Sequence, residues 1–171
     1  MIPRLSGKLI PLYREMHEGK RYRGGSTLRK YIADIAQLVA ETGTQTILDY
    51  GCGKGMQYEE DGLHEAWGGI MPTLFDPAVP GIDVLPDGQF DGVICTGVLE
   101  HIPGRELPQA FENLAKYARK WCFLAIGTAL AHKSLPNGQN AHVTVKTPEW
   151  WMERIDPYFE GGAQVHYRWV S

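Results

Sequence analysis

The residues best suited to chemistry lie in three short stretches, each at the point where a predicted strand ends. The first is the run Asp49-Tyr50-Gly51-Cys52-Gly53, which follows the apolar residues Ile47 and Leu48. Glycines directly after a strand let the backbone turn sharply and approach a ligand closely, because no Cβ is in the way. An open α/β sheet binds nucleotide-like ligands in the crevice beyond the carboxyl ends of such strands.

The spacing and charge of this loop indicate a cationic ligand rather than a phosphate. The glycines at 51, 53 and 55 lack the spacing of dinucleotide-binding loops. Gly55 also follows Lys54 where a phosphate-binding loop has Ser or Thr for Mg²⁺. Asp49 at the end of the strand would repel a pyrophosphate and attract a positive charge.

The second stretch is Leu74-Phe75-Asp76-Pro77. An acid about 20 residues after a glycine loop accepts hydrogen bonds from ribose hydroxyls in dinucleotide folds. A carboxylate suits a cis-diol because its two oxygens can each accept one O–H. The alternative interpretation is that Asp76 only forms the turn before Pro77.

The third stretch is a predicted buried strand, Phe90–Thr96, followed by Gly97 and Glu100-His101. Thr96 ends this strand and should therefore border the ligand. His101 is a candidate general base, because an imidazole titrates near neutral pH. The alternative is a histidine that packs or hydrogen-bonds below the site.

In this order the three stretches resemble the motifs of class I S-adenosylmethionine-dependent methyltransferases, over residues 45–130. The chain is similar to small, minimal members such as short bacterial and phage methyltransferase-domain proteins. The resemblance implies S-adenosylmethionine as cofactor, with the glycine loop around its methionine part, Asp76 at the ribose and Thr96 beside the donor. The predicted cofactor-binding residues are Asp49, Tyr50, Gly51, Cys52, Gly53, Asp76, Pro77 and Thr96.

A further resemblance concerns the predicted catalytic residues, Glu100, His101 and His142. They resemble part of the Glu-x-x-Glu-His plus His arrangement of ubiquinone-biosynthesis O-methyltransferases and small-RNA 3′-terminal 2′-O-methyltransferases. A divalent cation held there can bind vicinal oxygens and lower the pKa of the acceptor. Gly97 stands where the first acid of the pattern would be, so whether this chain uses a metal stays open.

The resemblance implies methyl transfer to a small-molecule or sugar-like acceptor, on oxygen. The chain has no Asp/Asn-Pro-Pro-Tyr/Phe motif, which disfavours amino methylation of DNA bases. One alternative is an RNA methyltransferase, with a basic-aromatic N-terminal arm and Trp150-Trp151 holding a stacked base. Another is a protein that binds the cofactor without turnover, because the middle of the domain and its C-terminal part are short.

The chain length predicts a single domain over residues 1–171. Residues 1–25 should form an N-terminal arm or, as the resemblance implies, a lid over the ligand. The net charge of −3 gives no global basic field for nucleic acid, although a local basic patch is compatible with it. Three cysteines without metal-ligand spacing, no leader and no long apolar span predict a reduced, cytoplasmic protein without a membrane partner. A homodimer formed through an exposed sheet edge is a further hypothesis.

The elements that must position these residues predict a Rossmann-like, doubly wound α/β sheet. It should be mostly parallel, with a reduced third-strand region and a shortened C-terminal hairpin. Hydrophobic periodicity and start and stop signals predict the remaining elements. These are a helix from Ser26 to Thr42, a crossover helix over Met56–Trp67, a remnant edge strand over Ile82–Leu85, a helix over Gly104–Arg119, a strand over Trp121–Gly127, a loop over 128–146, a helix capped by Thr147, and a last strand over Ala163–Val170.

Overall fold

The apolar runs of the sequence lie side by side in one five-stranded parallel sheet. The structure is a computed structural model, and it describes residues 7–18 and 27–171. The strand order is β2-β1-β3-β4-β5, and each neighbouring pair is parallel. The strands are β1 (Ile47–Tyr50), β2 (Thr73–Phe75), β3 (Phe90–Thr96), β4 (Ala118–Gly127) and β5 (Gln164–Val170).

Helices cover both faces of this sheet, as both faces of parallel strands rich in apolar residues require. The α-helices are α1 (Ile10–Glu18), α2 (Ile32–Thr42), α3 (Met56–Glu59), α4 (Leu107–Tyr117) and α5 (Pro148–Phe159), with 3₁₀ turns at Leu28–Tyr31, Leu63–Trp67 and Leu99–His101. Helices α4 and α5 pack on one face, through residues such as Phe111 and Trp151. Helix α2 packs on the other face, through Ile35 and Val39.

The register of the sheet brings the ends of its central strands together. Tyr50 of β1 pairs with Phe75 of β2, and Asp49 pairs with Ile94 of β3. The loops that follow β1, β2 and β3 therefore leave the sheet at one edge, where open α/β folds bind their ligands.

The predicted fold class is confirmed, and so are several local signals. Helix α2 ends at Thr42 with Gly43 as its C-cap, and Thr147 caps α5 by accepting a hydrogen bond from the backbone N–H of Trp150. The reduced third-strand region is also confirmed, because β2 is an edge strand of the sheet. The predicted N-cap, Ser26, lies outside the described residues.

Four predicted elements need correction. The crossover helix over Met56–Trp67 is instead the single turn α3 and a separate 3₁₀ turn, because the chain turns at Gly62 between them. Ile82–Leu85 form no strand. Helix α4 ends at Tyr117, so Arg119 belongs to β4, where it pairs with Asp91 rather than with the helix end. Strand β5 pairs in parallel with β4, so the sheet contains no C-terminal hairpin within the described ranges.

No helix in the described part of the chain is long and apolar enough to cross a membrane.

Candidate functional site

A cavity of about 120 Å³ lies between helix α1 and the carboxyl edge of the sheet. Helix α1 forms one wall of the cavity. That the N-terminal residues act as a lid over the ligand stays a prediction. The basic residues Arg21 and Arg23 of the predicted arm lie outside the described residues. The cavity is lined by α1, by the three loops after β1, β2 and β3, and by the 3₁₀ turn Leu99–His101. The lining includes Tyr13, His17, Tyr50, Gly51, Asp76, Pro77, Gly97, Val98 and His101.

The glycine loop after β1 is folded tightly against the ends of β2 and β3. Gly51 has a φ of 84°, and a Cβ added there would lie 2.4 Å from Val98 Cγ2. Its N–H donates to the carbonyl of Phe75 at 2.7 Å, and the N–H of Gly53 donates to Asp76 Oδ2 at 2.8 Å. A side chain at position 51 would therefore collide with the loop after β3 and adopt a strained backbone.

Asp76 forms the turn that the alternative interpretation predicts, and it also lines the cavity; its contact with a ribose stays a prediction. Its Oδ1 accepts the N–H of Ala78 at 2.8 Å, which is the hydrogen bond of a turn aspartate. The same carboxylate lines the cavity and is only 6% exposed. Burial raises its pKa above the ordinary carboxyl value, although the hydrogen bonds from Ala78 and Gly53 oppose this effect.

A second buried carboxylate, Asp49, lies at the end of β1 and does not line the cavity directly. It accepts a hydrogen bond from the Tyr58 hydroxyl at 2.7 Å. Burial is the largest cause that raises the pKa of Asp49, to about 7; the charge of Asp76 acts in the same direction, and the Tyr58 hydrogen bond opposes both. Because each ionised carboxylate raises the cost of ionising the other, a cationic ligand beside them would stabilise both charges.

The other predicted cofactor-binding residues divide between the wall of the cavity and its surroundings. Tyr50 and Pro77 line it. Cys52 is buried, and its thiol donates to the carbonyl of Gly53 at 3.3 Å. Burial raises the pKa of this thiol, so Cys52 stays protonated. Thr96 ends β3 opposite Ala125 and, like Cys52 and Gly53, is not part of the lining.

Next to the cavity the structure brings together Glu100, His101 and His142. One potential ligand atom from each residue lies within 4.8 Å of the other two. His142 Nε2 is 3.9 Å from Glu100 Oε1, and the centroids of the two imidazole rings are 4.9 Å apart. The exposed His132, in the same loop as His142, is not part of this cluster.

Backbone carbonyls orient both imidazoles. His101 Nδ1 lies 2.8 Å from the carbonyl of Ala141, and His142 Nδ1 lies 2.6 Å from the carbonyl of Ala129. Since a carbonyl can only accept, each Nδ1 carries a hydrogen, and in the neutral form of either ring the lone pair is on Nε2. This is the arrangement in which histidines bind metals, with the other ring nitrogen donating to a backbone carbonyl.

Glu100 supplies the negative charge of the cluster. It is 2% exposed, and Oε1 accepts the N–H of Gly127 at 2.9 Å. Oε2 is buried and has no hydrogen-bond partner among residues 7–18 and 27–171. Burial raises the pKa of Glu100, which His142 opposes, and burial lowers the pKa of His101 to about 4. A pKa near 4 weakens His101 as a base at neutral pH but keeps it in the neutral form that binds metals.

Two glycines limit what the cluster can contain. Gly127 approaches it so closely that a Cβ there would lie 2.7 Å from Glu100 Oε1 and 2.8 Å from His142 Cε1. Gly97 has a φ of 66°, and a Cβ there would lie 3.0 Å from Thr27 Oγ1. An acid at position 97 would be strained, so the cluster has three potential ligands among the described residues rather than four.

Parts of the site could not be predicted from sequence patterns. Tyr13, which lines the cavity, and Tyr58, which donates to Asp49, belong to none of the three motif stretches. The carbonyls of Ala129 and Ala141 carry no sequence signal, because every residue has one. Trp151, predicted as half of a base-stacking pair in the RNA alternative, is fully buried, and the Arg154 guanidinium lies 4.0 Å from the centre of the Trp150 ring.

The chain matches a known protein family. The sequence profile of a family described as a methyltransferase domain matches residues 21–160, which include the glycine loop, Asp76 and all three residues of the cluster. Comparisons with curated proteins and with solved structures found no match.

Proposed function

This chain belongs to the methyltransferase domain family, and we propose that it transfers a methyl group from S-adenosylmethionine to an oxygen of a small-molecule acceptor. The observation that carries the proposal is the cavity lined by Gly51 and by the buried carboxylate of Asp76, whose charge also acts on the buried Asp49. S-adenosylmethionine matches these features, because it carries a sulfonium, an ammonium and a ribose diol.

The residues around the cavity fit this cofactor in three respects. Gly51 lines the cavity with backbone atoms alone, because Val98 occupies the place where a side chain would lie. Asp76 lines the cavity with a carboxylate that can accept hydroxyl hydrogens beyond the two backbone bonds it already makes. The charges of Asp49 and Asp76 favour a cation, which would in turn stabilise their ionised forms.

Methyl transfer from a sulfonium is a displacement on carbon, and the sulfonium supplies the activated methyl group. The protein has to align the acceptor with the methyl–sulfur bond and exclude water, and such positioning contributes about 7–11 kcal/mol. Residues of helix α1 line the cavity, and a ligand held beneath this helix would be shielded from water on that side. The adjoining cluster lies where the acceptor would be held.

Oxygen as the acceptor atom requires a way to remove its proton, and the cluster offers one. Glu100, His101 and His142 would hold a divalent cation through one carboxylate oxygen and two imidazole Nε2 atoms. The unpartnered Glu100 Oε2 is the observation that supports this fit. A cation bound there would lower the pKa of an acceptor hydroxyl.

The cofactor proposal is tested by titration calorimetry with S-adenosylhomocysteine. We expect one site per chain, and at 100 times the dissociation constant about 2.7 kcal/mol of added stability. For a chain of this size that raises the melting temperature by about 5–10 °C. Asp76→Asn should weaken binding at least about tenfold, and the exposed Asp87→Asn should leave it unchanged. Absence of binding by both S-adenosylhomocysteine and S-adenosylmethionine would refute the proposed cofactor.

The cation proposal is tested separately, with Mn²⁺ binding followed by electron paramagnetic resonance. Glu100→Gln and His142→Ala should each weaken binding about tenfold or more. His132→Ala is the matched control, since it removes an exposed histidine from the same loop. Equal Mn²⁺ affinity in all three variants would show that the cluster does not bind the ion. Acceptor screening for S-adenosylhomocysteine production then separates an enzyme from a protein that binds the cofactor without turnover.

A further inference from the structure

We propose that Tyr13 is a positioning residue that ties the loop carrying His142 to the helix covering the cofactor cavity. Through this side chain, the position of helix α1 over the cavity is coupled to the arrangement of Glu100, His101 and His142. The inference rests on the proposed function only in taking the covered cavity as the cofactor site.

The Tyr13 hydroxyl lies between two segments that are distant in the chain. It is 2.9 Å from the carbonyl of Ala141 and 3.1 Å from the carbonyl of His101. The hydroxyl is the donor to either carbonyl. The Tyr13 ring also packs edge-to-face against the His101 ring, with centroids 5.4 Å apart. Helix α1 is therefore attached to both histidine-bearing segments through one side chain.

The carbonyl of Ala141 has two partners. It accepts from Tyr13, and it is also the group that fixes His101 through Nδ1 at 2.8 Å. Ala141 is buried and directly precedes His142. One backbone carbonyl therefore connects α1, the Leu99–His101 turn and the 128–146 loop.

The 128–146 loop contributes no residue to the described lining of the cavity, whereas Tyr13 and His101 both line it. A ligand in the cavity can thus affect the loop through these two side chains without touching it. The loop has another attachment, since the N–H groups of Val143 and Thr144 donate to the Glu100 carbonyl at 2.9 and 3.0 Å. Removing the Tyr13 hydroxyl should therefore loosen the loop locally rather than unfold it.

The experiment is hydrogen–deuterium exchange measured by mass spectrometry on the wild type and on Tyr13→Phe, first without ligand. Phenylalanine keeps the ring packed on His101 and removes only the hydroxyl. Loss of this hydrogen bond should speed exchange of amides in residues 131–142 about two- to tenfold. Exchange in β3 and β4 should not change, whereas a merely global loss of stability would speed exchange throughout the sheet. Tyr158→Phe, at an exposed tyrosine outside the cavity lining, is the control.

The second arm repeats the exchange with saturating S-adenosylhomocysteine. In the wild type, exchange should slow both in residues 50–55 and in residues 131–142. In Tyr13→Phe it should slow only in residues 50–55. Equal ligand-induced slowing of the 131–142 amides in both proteins, or unchanged ligand-free exchange of this loop in Tyr13→Phe, would overturn the proposal. If the ligand slows no exchange in the wild type, the proposed cofactor is wrong, and the ligand-free comparison still decides the role of Tyr13.

Discussion

Replacing Asp49 by asparagine should stabilise the ligand-free protein above pH 7 and weaken its affinity for S-adenosylmethionine. Asp49 is 2% exposed, and burial raises its pKa from the ordinary value of 3.8 to about 7. The charge therefore costs folding free energy, which a cationic ligand would recover on binding. A substitution that removes the charge separates these two effects.

The sign follows from proton binding in the two states. The unfolded chain loses the Asp49 proton near pH 3.8, and the folded protein keeps it up to a pH of about 7. Between these values the folded state binds more protons, so the free energy of unfolding falls as the pH rises. Above a pH of about 7 the ionised Asp49 lowers the free energy of unfolding by its full amount. Asparagine is neutral, so Asp49→Asn does not lose this free energy.

The size of this stability change follows from the difference between the pKa of Asp49 in the folded and in the unfolded state. At about 1.36 kcal/mol per pKa unit, a change from 3.8 to about 7 corresponds to about 4 kcal/mol. The amide of asparagine keeps an oxygen that can accept the Tyr58 hydroxyl but buries new N–H donors, at a cost of about 1 kcal/mol. We therefore expect Asp49→Asn to be more stable than the wild type by about 3 kcal/mol at pH 8. Near pH 4.5 the two should be about equally stable.

The assay is equilibrium unfolding in urea at pH 4.5 and pH 8, with Asp87→Asn as the control at an exposed position. Calorimetry at pH 8 should show S-adenosylmethionine binding to Asp49→Asn about tenfold more weakly than to the wild type. A stability difference that is the same at both pH values would refute the reasoning, as would a variant that is less stable at pH 8. In the first case Asp49 does not titrate with a raised pKa, and in the second its charge is compensated within the protein.

Three further predictions use the same structure. Tyr58→Phe removes the hydrogen bond that lowers the pKa of Asp49, so stability should go on falling with rising pH beyond pH 7; unfolding curves between pH 6 and 9 that match the wild type would contradict this. Gly127→Ala places a Cβ 2.7 Å from Glu100 Oε1, so it should weaken Mn²⁺ binding about tenfold or more and change S-adenosylhomocysteine binding little. Electron paramagnetic resonance measures the first affinity and calorimetry the second, on one preparation. Undisturbed Mn²⁺ binding would count against a metal site at Glu100. Thr147→Ala removes the cap of α5 and should lower the free energy of unfolding, measured in urea, by about 1 kcal/mol. Thr73→Ala, at an exposed position, is the control. Equal stability of Thr147→Ala and the wild type would show that the cap contributes nothing.

The sequence determined the local parts of this protein. The apolar run before Asp49 predicted a buried strand, the alternating glycines predicted the loop, and Thr147 with Pro148 predicted the start of α5. These features are readable because strand burial, turn conformation and helix capping depend on residues close together in the chain. The crossover helix was mispredicted because its apolar pattern continues past Gly62, although the backbone does not.

The tertiary structure decided how the site is assembled. His142 approaches Glu100 because β4 ends at Gly127 beside the turn after β3, and no local pattern specifies an approach between residues so far apart in the chain. The orientation of both imidazoles depends on the carbonyls of Ala129 and Ala141, groups that every residue possesses. Residue types predicted which side chains could do chemistry, whereas their tautomers, burial and shared partners follow only from contacts between segments that are distant in the chain.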